Sequence, residues 1–248
     1  IVKAVNAAGK VTVAELSRAL GVTPVTVRRD LEKLEANNLL VRTHGGAISI
    51  GSDVVGTGVE RSFAEKEEAL AEEKERIARA AAERVRDQET VLLSPGTTNM
   101  RLARYLVGKK QLTLVTNAVN IAMYMLTNSE HDVILLGGSM RRKSLASVGP
   151  MTEDSLRHIR VDKLFLGVDG LDVREGLTTP NLGEAAVNRR MIDIAREVIV
   201  VADHSKFGKV TFSRIAPIES VDTVISDKGL SEDDADALRA AGVKIFLV

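Results

Sequence analysis

Arg28 and Arg29 stand side by side in the run Thr23-Pro24-Val25-Thr26-Val27-Arg28-Arg29-Asp30-Leu31, and far downstream Asp169 and Lys206 each follow a short apolar run. The first set suits a polyanion. Arginine forks match phosphate oxygens and guanine edges, and Thr26 and Lys33 add donors that a major groove would meet. The second set suits a smaller ligand. Ser94-Pro95-Gly96-Thr97-Thr98-Asn99 combines small residues and hydroxyls just before a helical stretch, the composition of an anion cradle at a helix N-terminus. Asn117 and Gly170 close further apolar runs, and the polar loop from Gly176 leads to Glu184 in the first turns of another helix. In this set Lys206 supplies a point charge for a phosphate, while Asp169 and Glu184 accept hydrogen bonds from hydroxyls. A sugar phosphate, anionic at one end and hydroxylated at the other, fits best. Singly, each residue has a plainer reading as turn cap, solvated helix face or surface charge; their shared position at strand ends argues for a site.

The arginine pair needs a helix, and the sequence supplies its signals. Thr23 is an N-cap residue and Pro24 sits at the first helical position, where its missing N–H costs nothing. Val27, Leu31 and Leu34 give one apolar face at three- and four-residue spacing. Before it, Val13, Leu16 and Leu20 line a shorter helix with the capping-box pair Thr12 and Glu15 and a C-terminal glycine, Gly21. Ile1, Val2 and Val5 read as the rear of a first helix ending at Gly9, cut short at its front. Leu39 to Ala47 reads as two extended pieces around a Gly45-Gly46 tip carrying Arg42 and His44. The sum is a winged helix-turn-helix over residues 1–52, with recognition helix 24–37 and wing 39–48. A small helical dimerisation module, its arginines merely solvated, is the alternative.

The strand-end cluster needs a sheet. Residues 53–62 read as a link, since Gly51, Gly56 and Gly58 interrupt a stretch without apolar period. Phe63 to Arg86 is rich in strong helix formers, with Leu70, Ile77 and Val85 placed to dock one face. Beyond it, apolar runs at 91–93, 112–116, 133–136, 163–168, 198–202, 223–226 and 243–248 alternate with helical stretches. That order predicts an α/β body over residues 63–248, Rossmann-like, with a mainly parallel sheet that binds ligands beyond its strands' carboxyl ends.

Charge and composition narrow the classes. The chain is formally neutral, yet residues 1–52 carry seven basic against four acidic side chains, which suits a nucleic-acid partner for the head alone. The sequence has no cysteine, and its four histidines never approach metal-ligand spacing, so neither a thiolate nucleophile nor a zinc site is expected. No metal and no cofactor is expected beyond the effector ligand. No apolar run reaches the ~20 residues of a membrane span, and the cytoplasm is the expected compartment. The aromatic content, 3% with no Trp, argues against a single-strand stacking platform.

Val13 through Ala47, with Val25-Thr26-Val27-Arg28-Arg29-Asp30-Leu31, Leu34-Glu35, Leu39-Leu40 and Arg42-Thr43-His44-Gly45-Gly46-Ala47, resembles the bacterial DeoR family of transcription regulators. The resemblance implies that Arg28, Arg29, Arg42 and His44 contact double-stranded operator DNA, with Thr23, Thr26 and Lys33 as weaker transfers. The body, from about Ile77 to Asp227, resembles the DeoR-type sensor domain, related in fold to ribose-5-phosphate isomerase and glucosamine-6-phosphate deaminase. That implies a pocket for a phosphorylated sugar on Gly96, Thr97, Thr98, Asn117, Asp169, Gly170, Glu184 and Lys206. Where those isomerases carry Asp-Gly-Ala-Asp-Glu, this chain has Leu166-Gly167-Val168-Asp169-Gly170. An active-site carboxylate is replaced by leucine, which moves no proton. Binding without turnover is therefore expected: a repressor of a carbohydrate-utilisation operon, acting as a homodimer or homotetramer. The alternative is a sugar-phosphate isomerase or deaminase-like enzyme fused to a DNA-binding head.

Overall fold

Hydrophobic alternation decides the architecture of the larger unit. In the computed structural model, β4 (Thr90–Leu93) sends Val91 and Leu93 to one face and Leu92 to the other; β9 (Val161–Leu166) splits Phe165 from Leu164 and Leu166 in the same way. A strand apolar on both sides must be covered on both. One face packs on Ile77, Ala78, Leu102, Leu106, Ile121 and Met125, the other on Leu156, Met191, Ile194 and Leu238. The structure describes all residues except 3, 6–9, 37–39, 44 and 49–59, and gives the backbone alone for residues 10, 36, 41–43 and 48. The chain divides into two compact units, Ile1–Thr57 and Gly58–Val248. Part of the expected link, residues 53–59, lies outside the described residues.

In the smaller unit β1 (Lys10–Thr12) leads into α1 (Val13–Leu20) and α2 (Pro24–Ala36), followed by β2 (Val41–Thr43) and β3 (Gly46–Ile48). Thr12 and Glu15 form the capping box of α1, and Gly21 ends it at φ 66°. The Thr23 hydroxyl accepts from the Thr26 amide at 3.3 Å, so it caps α2. Val5, Val11, Val13, Leu16, Val27, Leu31, Leu40 and Ala47 make the core. β3 is the centre of a three-stranded antiparallel sheet, between β1 and β2. Strand β1 is an addition to the expected two-piece wing. It approaches so closely that a Cβ on Gly46 would lie 2.0 Å from the Val11 carbonyl oxygen. Glycine is required there.

The larger unit holds seven parallel strands in the order β15-β14-β12-β9-β4-β5-β6, and all seven correspond to the apolar runs read from sequence. The remaining members are β5 (Thr113–Thr116), β6 (Asp132–Leu135), β12 (Ala195–Val201), β14 (Thr223–Ser226) and β15 (Lys244–Leu247). Two small antiparallel additions were not foreseen: the hairpin β7 (Ser139–Arg141) with β8 (Ala146–Val148), and the sheet β10 (Gly170–Asp172), β11 (Gly176–Thr179) and β13 (Ser213–Ala216). The expected single helical stretch over 63–86 is broken. α3 (Phe63–Glu68) and α4 (Ala71–Ala82) are separated at Leu70, which adopts a left-handed φ of 51°. Helix-forming composition does not encode that break. A local side-chain contact accompanies it: the buried Lys74 ammonium donates to the carbonyls of Lys66 at 2.6 Å and Ala69 at 2.5 Å, covering groups the ended helix leaves open.

Phe165 is fully buried in the middle strand. Phe165→Ala is expected to cost about 3–5 kcal/mol in urea unfolding of the larger unit, and a loss under about 1 kcal/mol would contradict this packing.

Candidate functional sites

The carboxyl edge of the parallel sheet gathers most of the sequence-derived ligand residues. After β4, Ser94 accepts from the Gly167 amide at 2.9 Å and from Asn99 Nδ2 at 3.2 Å, tying the ends of β4 and β9 together. Gly96 then starts α5 (Thr97–Leu106) with φ 145°, a conformation that favours glycine, and no side chain caps the helix. Thr97 and Thr98 lie in that first turn and are buried. An uncapped first turn leaves backbone amides open, which is an anion-binding geometry.

Asp169 leaves the end of β9 half-buried, and the Lys66 ammonium lies 2.5 Å from its Oδ1. The buried Thr179 hydroxyl is 3.1 Å from Asp169 Oδ2 and 3.3 Å from Glu184 Oε2, so it bridges the two acids. Glu184 is set by α6 (Leu182–Ile194), whose N-cap Asn181 accepts from the Glu184 amide at 3.1 Å. Arg141, at the end of β7, reaches Glu184 Oε1 at 2.6 Å with one nitrogen and Glu60 Oε2 at 2.5 Å with the other. Lys66, Asp169, Thr179, Glu184, Arg141 and Glu60 thus form one chain of polar contacts.

Environment splits the two acids. Burial opposes ionisation of Asp169, but Lys66 and Lys206, with hydrogen bonds from Lys66 and Thr179, hold its carboxyl below the usual range. Burial dominates at Glu184 and pushes it up, against the pull of Ser144 and Arg141. Lys206 stands on the turn after Asp203, which caps it through the Ser205 amide at 3.1 Å. Asp227 secures that turn, accepting from the His204 amide at 2.8 Å and facing His204 Nδ1 at 2.7 Å. Lys74 completes the cationic side. Burial lowers it to about 8, with Asp203 opposing and Lys206, Arg101 and Lys66 adding to the shift. Four cations thus crowd one edge, of which Lys66 is paired with Asp169 and Arg101 lies 3.8 Å from Glu75.

Asn117 and Gly170 have other work in this structure. Asn117 is buried at the end of β5 and donates to the Ser147 carbonyl at 2.8 Å, fastening the β7–β8 hairpin. A Cβ on Gly170 would come within 2.5 Å of the Lys209 carbonyl oxygen and Thr178 Oγ1, so close packing requires the glycine. Leu166 is fully buried in the sheet core and offers no polar atom. Among the described residues no group of three or more His, Cys, Asp or Glu is placed to hold a metal ion. Glu60, Lys66, Lys74 and Arg141 were not foreseen, because each sits in a stretch whose composition reads as solvated surface. Thr179 carried the one available signal, its place in the polar loop before Glu184.

In the smaller unit Thr26, Arg28, Arg29 and Lys33 are exposed on α2, opposite the buried Val27 and Leu31. Val25 is 70% exposed beside them, an apolar group of the kind that meets a thymine methyl. Arg42 lies in β2, with only its backbone described, and His44 lies outside the described residues.

A helix-turn-helix with a wing, joined to a parallel-sheet unit with a cation-rich ligand edge, defines a ligand-sensing DNA-binding protein. Residues 1–53 match the DeoR-like helix-turn-helix domain and residues 70–228 the DeoR C terminal sensor domain. The chain belongs to the DeoR family of transcription regulators. It is 37% identical to the HTH-type transcriptional regulator GlpR of Haloferax volcanii, over 99% of this chain and 94% of that protein. It is 34% identical to the glycerol-3-phosphate regulon repressor of Escherichia coli K12, over 92% of this chain and 88% of that one. YulB of Bacillus subtilis, an uncharacterized HTH-type regulator, is 38% identical over the whole of this chain and 94% of its own. Ribose 5-phosphate isomerase A of Methanocaldococcus jannaschii matches 54% of this chain and 53% of its own with a TM-score of 0.40 and 18% identity, a likeness too partial to carry an argument. The chain is a regulator, not an enzyme, and no helix among the described residues is long and apolar enough to cross a membrane.

The depressed Lys74 gives a pH signature. A bound dianion favours its charged form, so affinity for sulfate, which does not titrate here, is expected to fall by up to about tenfold per unit as pH rises above about 8. Lys74→Met should flatten that profile in isothermal titration calorimetry; an unchanged slope would place the anion elsewhere.

Proposed function

We propose that this protein is a repressor of a carbohydrate-utilisation operon, and that a phosphorylated sugar or polyol bound at the carboxyl edge of the sheet modulates its grip on the operator. The observation that carries this reading is the edge at which Lys66 and Lys206 face Asp169, with Lys74 close to Lys206, beside the uncapped start of α5. Lys74, Lys206 and backbone amides suit the phosphate, and Asp169, Glu184 and Thr179 suit the hydroxyls. The glycerol-3-phosphate regulon named for one relative supports the same class of ligand. Gly96, Thr97, Thr98 and Lys206 are assigned to the phosphate end, and Asn117 and Gly170 to holding the walls.

On DNA, Arg28 and Arg29 take phosphates or guanine edges, with Thr23, Thr26, Lys33, Arg42 and His44 as further contacts and Val25 against a thymine methyl. One recognition helix spans few base pairs, so the protein acts as a dimer or tetramer on repeated half-sites. Ligand binding is taken to release the operator.

Arg28→Ala or Arg29→Ala is expected to weaken operator binding in fluorescence anisotropy by about 1–3 kcal/mol and to flatten its salt dependence. A folded variant with wild-type affinity would refute the assignment. In a thermal-shift panel of three- to six-carbon sugar and polyol phosphates, at least one member should raise the melting temperature. No response from any of them would remove the sensor reading.

A further inference from the structure

We propose that residues 60–68 form a latch over the sensor site, and that a sugar phosphate binds by displacing the chain's own Lys66 from Asp169 and Glu60 from Arg141. The proposal rests on the ligand reading above and adds how that ligand reaches the head. The segment is held almost wholly by polar contacts. None of the six residues of α3 is buried, so apolar packing contributes little to keeping it in place. Its grip consists of the Lys66–Asp169 pair, the Glu60–Arg141 pair, the Lys143 ammonium on the Glu60 carbonyl at 2.8 Å and the Phe63 amide on the Lys143 carbonyl at 2.7 Å.

The two ion pairs explain why a ligand would compete. Glu60 lays an acceptor on Arg141, as a sugar hydroxyl oxygen would, and Lys66 lays donors on Asp169, as a hydroxyl proton would. Both partners connect through Glu184 and Thr179, so contesting either disturbs one network. The other contacts sit at the far end of α3, where Arg101 donates to the Glu67 carbonyl at 3.0 Å, Arg104 pairs with the Glu67 carboxylate at 3.8 Å and Lys74 donates to the Lys66 carbonyl. The position in the chain gives the consequence. Residues 49–59 separate the wing from residue 60 in sequence, so this segment is the first described part of the sensor unit after the head. A ligand that prefers the unlatched arrangement then shifts DNA affinity by that preference and no more.

Amide hydrogen exchange of the full-length protein reads the latch directly. Without ligand, Lys66→Met and Glu60→Gln are each expected to raise exchange in residues 60–68 by about tenfold or more, leaving β4 and β9 unchanged. Glycerol 3-phosphate or ribose 5-phosphate, where it raises the melting temperature of the wild type, should do the same and add nothing in Lys66→Met. Unaltered protection in both variants would overturn the proposal, as would a stabilising probe that leaves residues 60–68 protected. Variants that loosen the segment while neither probe binds uphold the latch and count against these two ligands.

Discussion

Asp169 is the constraint on which the sensor unit turns. A carboxylate half-buried at the edge of a parallel sheet stays ionised only if charge is brought to it, because desolvation otherwise drives it to the neutral form. Three elements from distant parts of the chain meet that demand: α3 with Lys66, the turn after β12 with Lys206, and β11 with Thr179. Break the sheet register and these groups no longer meet. The break at Leu70 belongs to the same requirement, since it ends α3 where Lys74 can cover the open carbonyls.

The same physics separates Asp169 from its neighbour. Glu184 shares a hydroxyl with Asp169, yet burial pushes it up in spite of Arg141, while Lys66 and Lys206 hold Asp169 down in spite of burial. Paired acids with separated affinities for protons often signal acid-base catalysis. Here they sit in a family of regulators, and Leu166, buried in the sheet core, offers no polar atom.

The sequence reading reached the scaffold more fully than the site. Seven apolar runs predicted seven strands, because a doubly covered parallel sheet writes its burial as continuous Val, Ile and Leu. Thr12, Glu15, Gly21, Thr23 and Pro24 located the head because caps are local. Strand β1 escaped, being three residues long and defined only by its partner β3. The partners of Asp169 and Glu184 escaped for a related reason. Lys66 and Glu60 are 103 and 109 positions before Asp169 in sequence, amid many similar charges, and nothing local distinguishes the ones that fold back onto the sheet. Gly170 shows the converse: a place at a strand end suggests a ligand cradle, and the structure adds a close backbone packing that by itself requires glycine.

The central claim is that ligand at the sheet edge and operator at α2 are linked through one equilibrium. Linkage is reciprocal, so the ligand's own affinity must report it. The decisive measurement is the dissociation constant of a stabilising sugar phosphate, by calorimetry, for the free protein and for the protein saturated with operator DNA. The account predicts weaker binding to the DNA complex, by the same factor by which that sugar phosphate weakens operator binding. Equal affinity for the free and DNA-bound forms would contradict it.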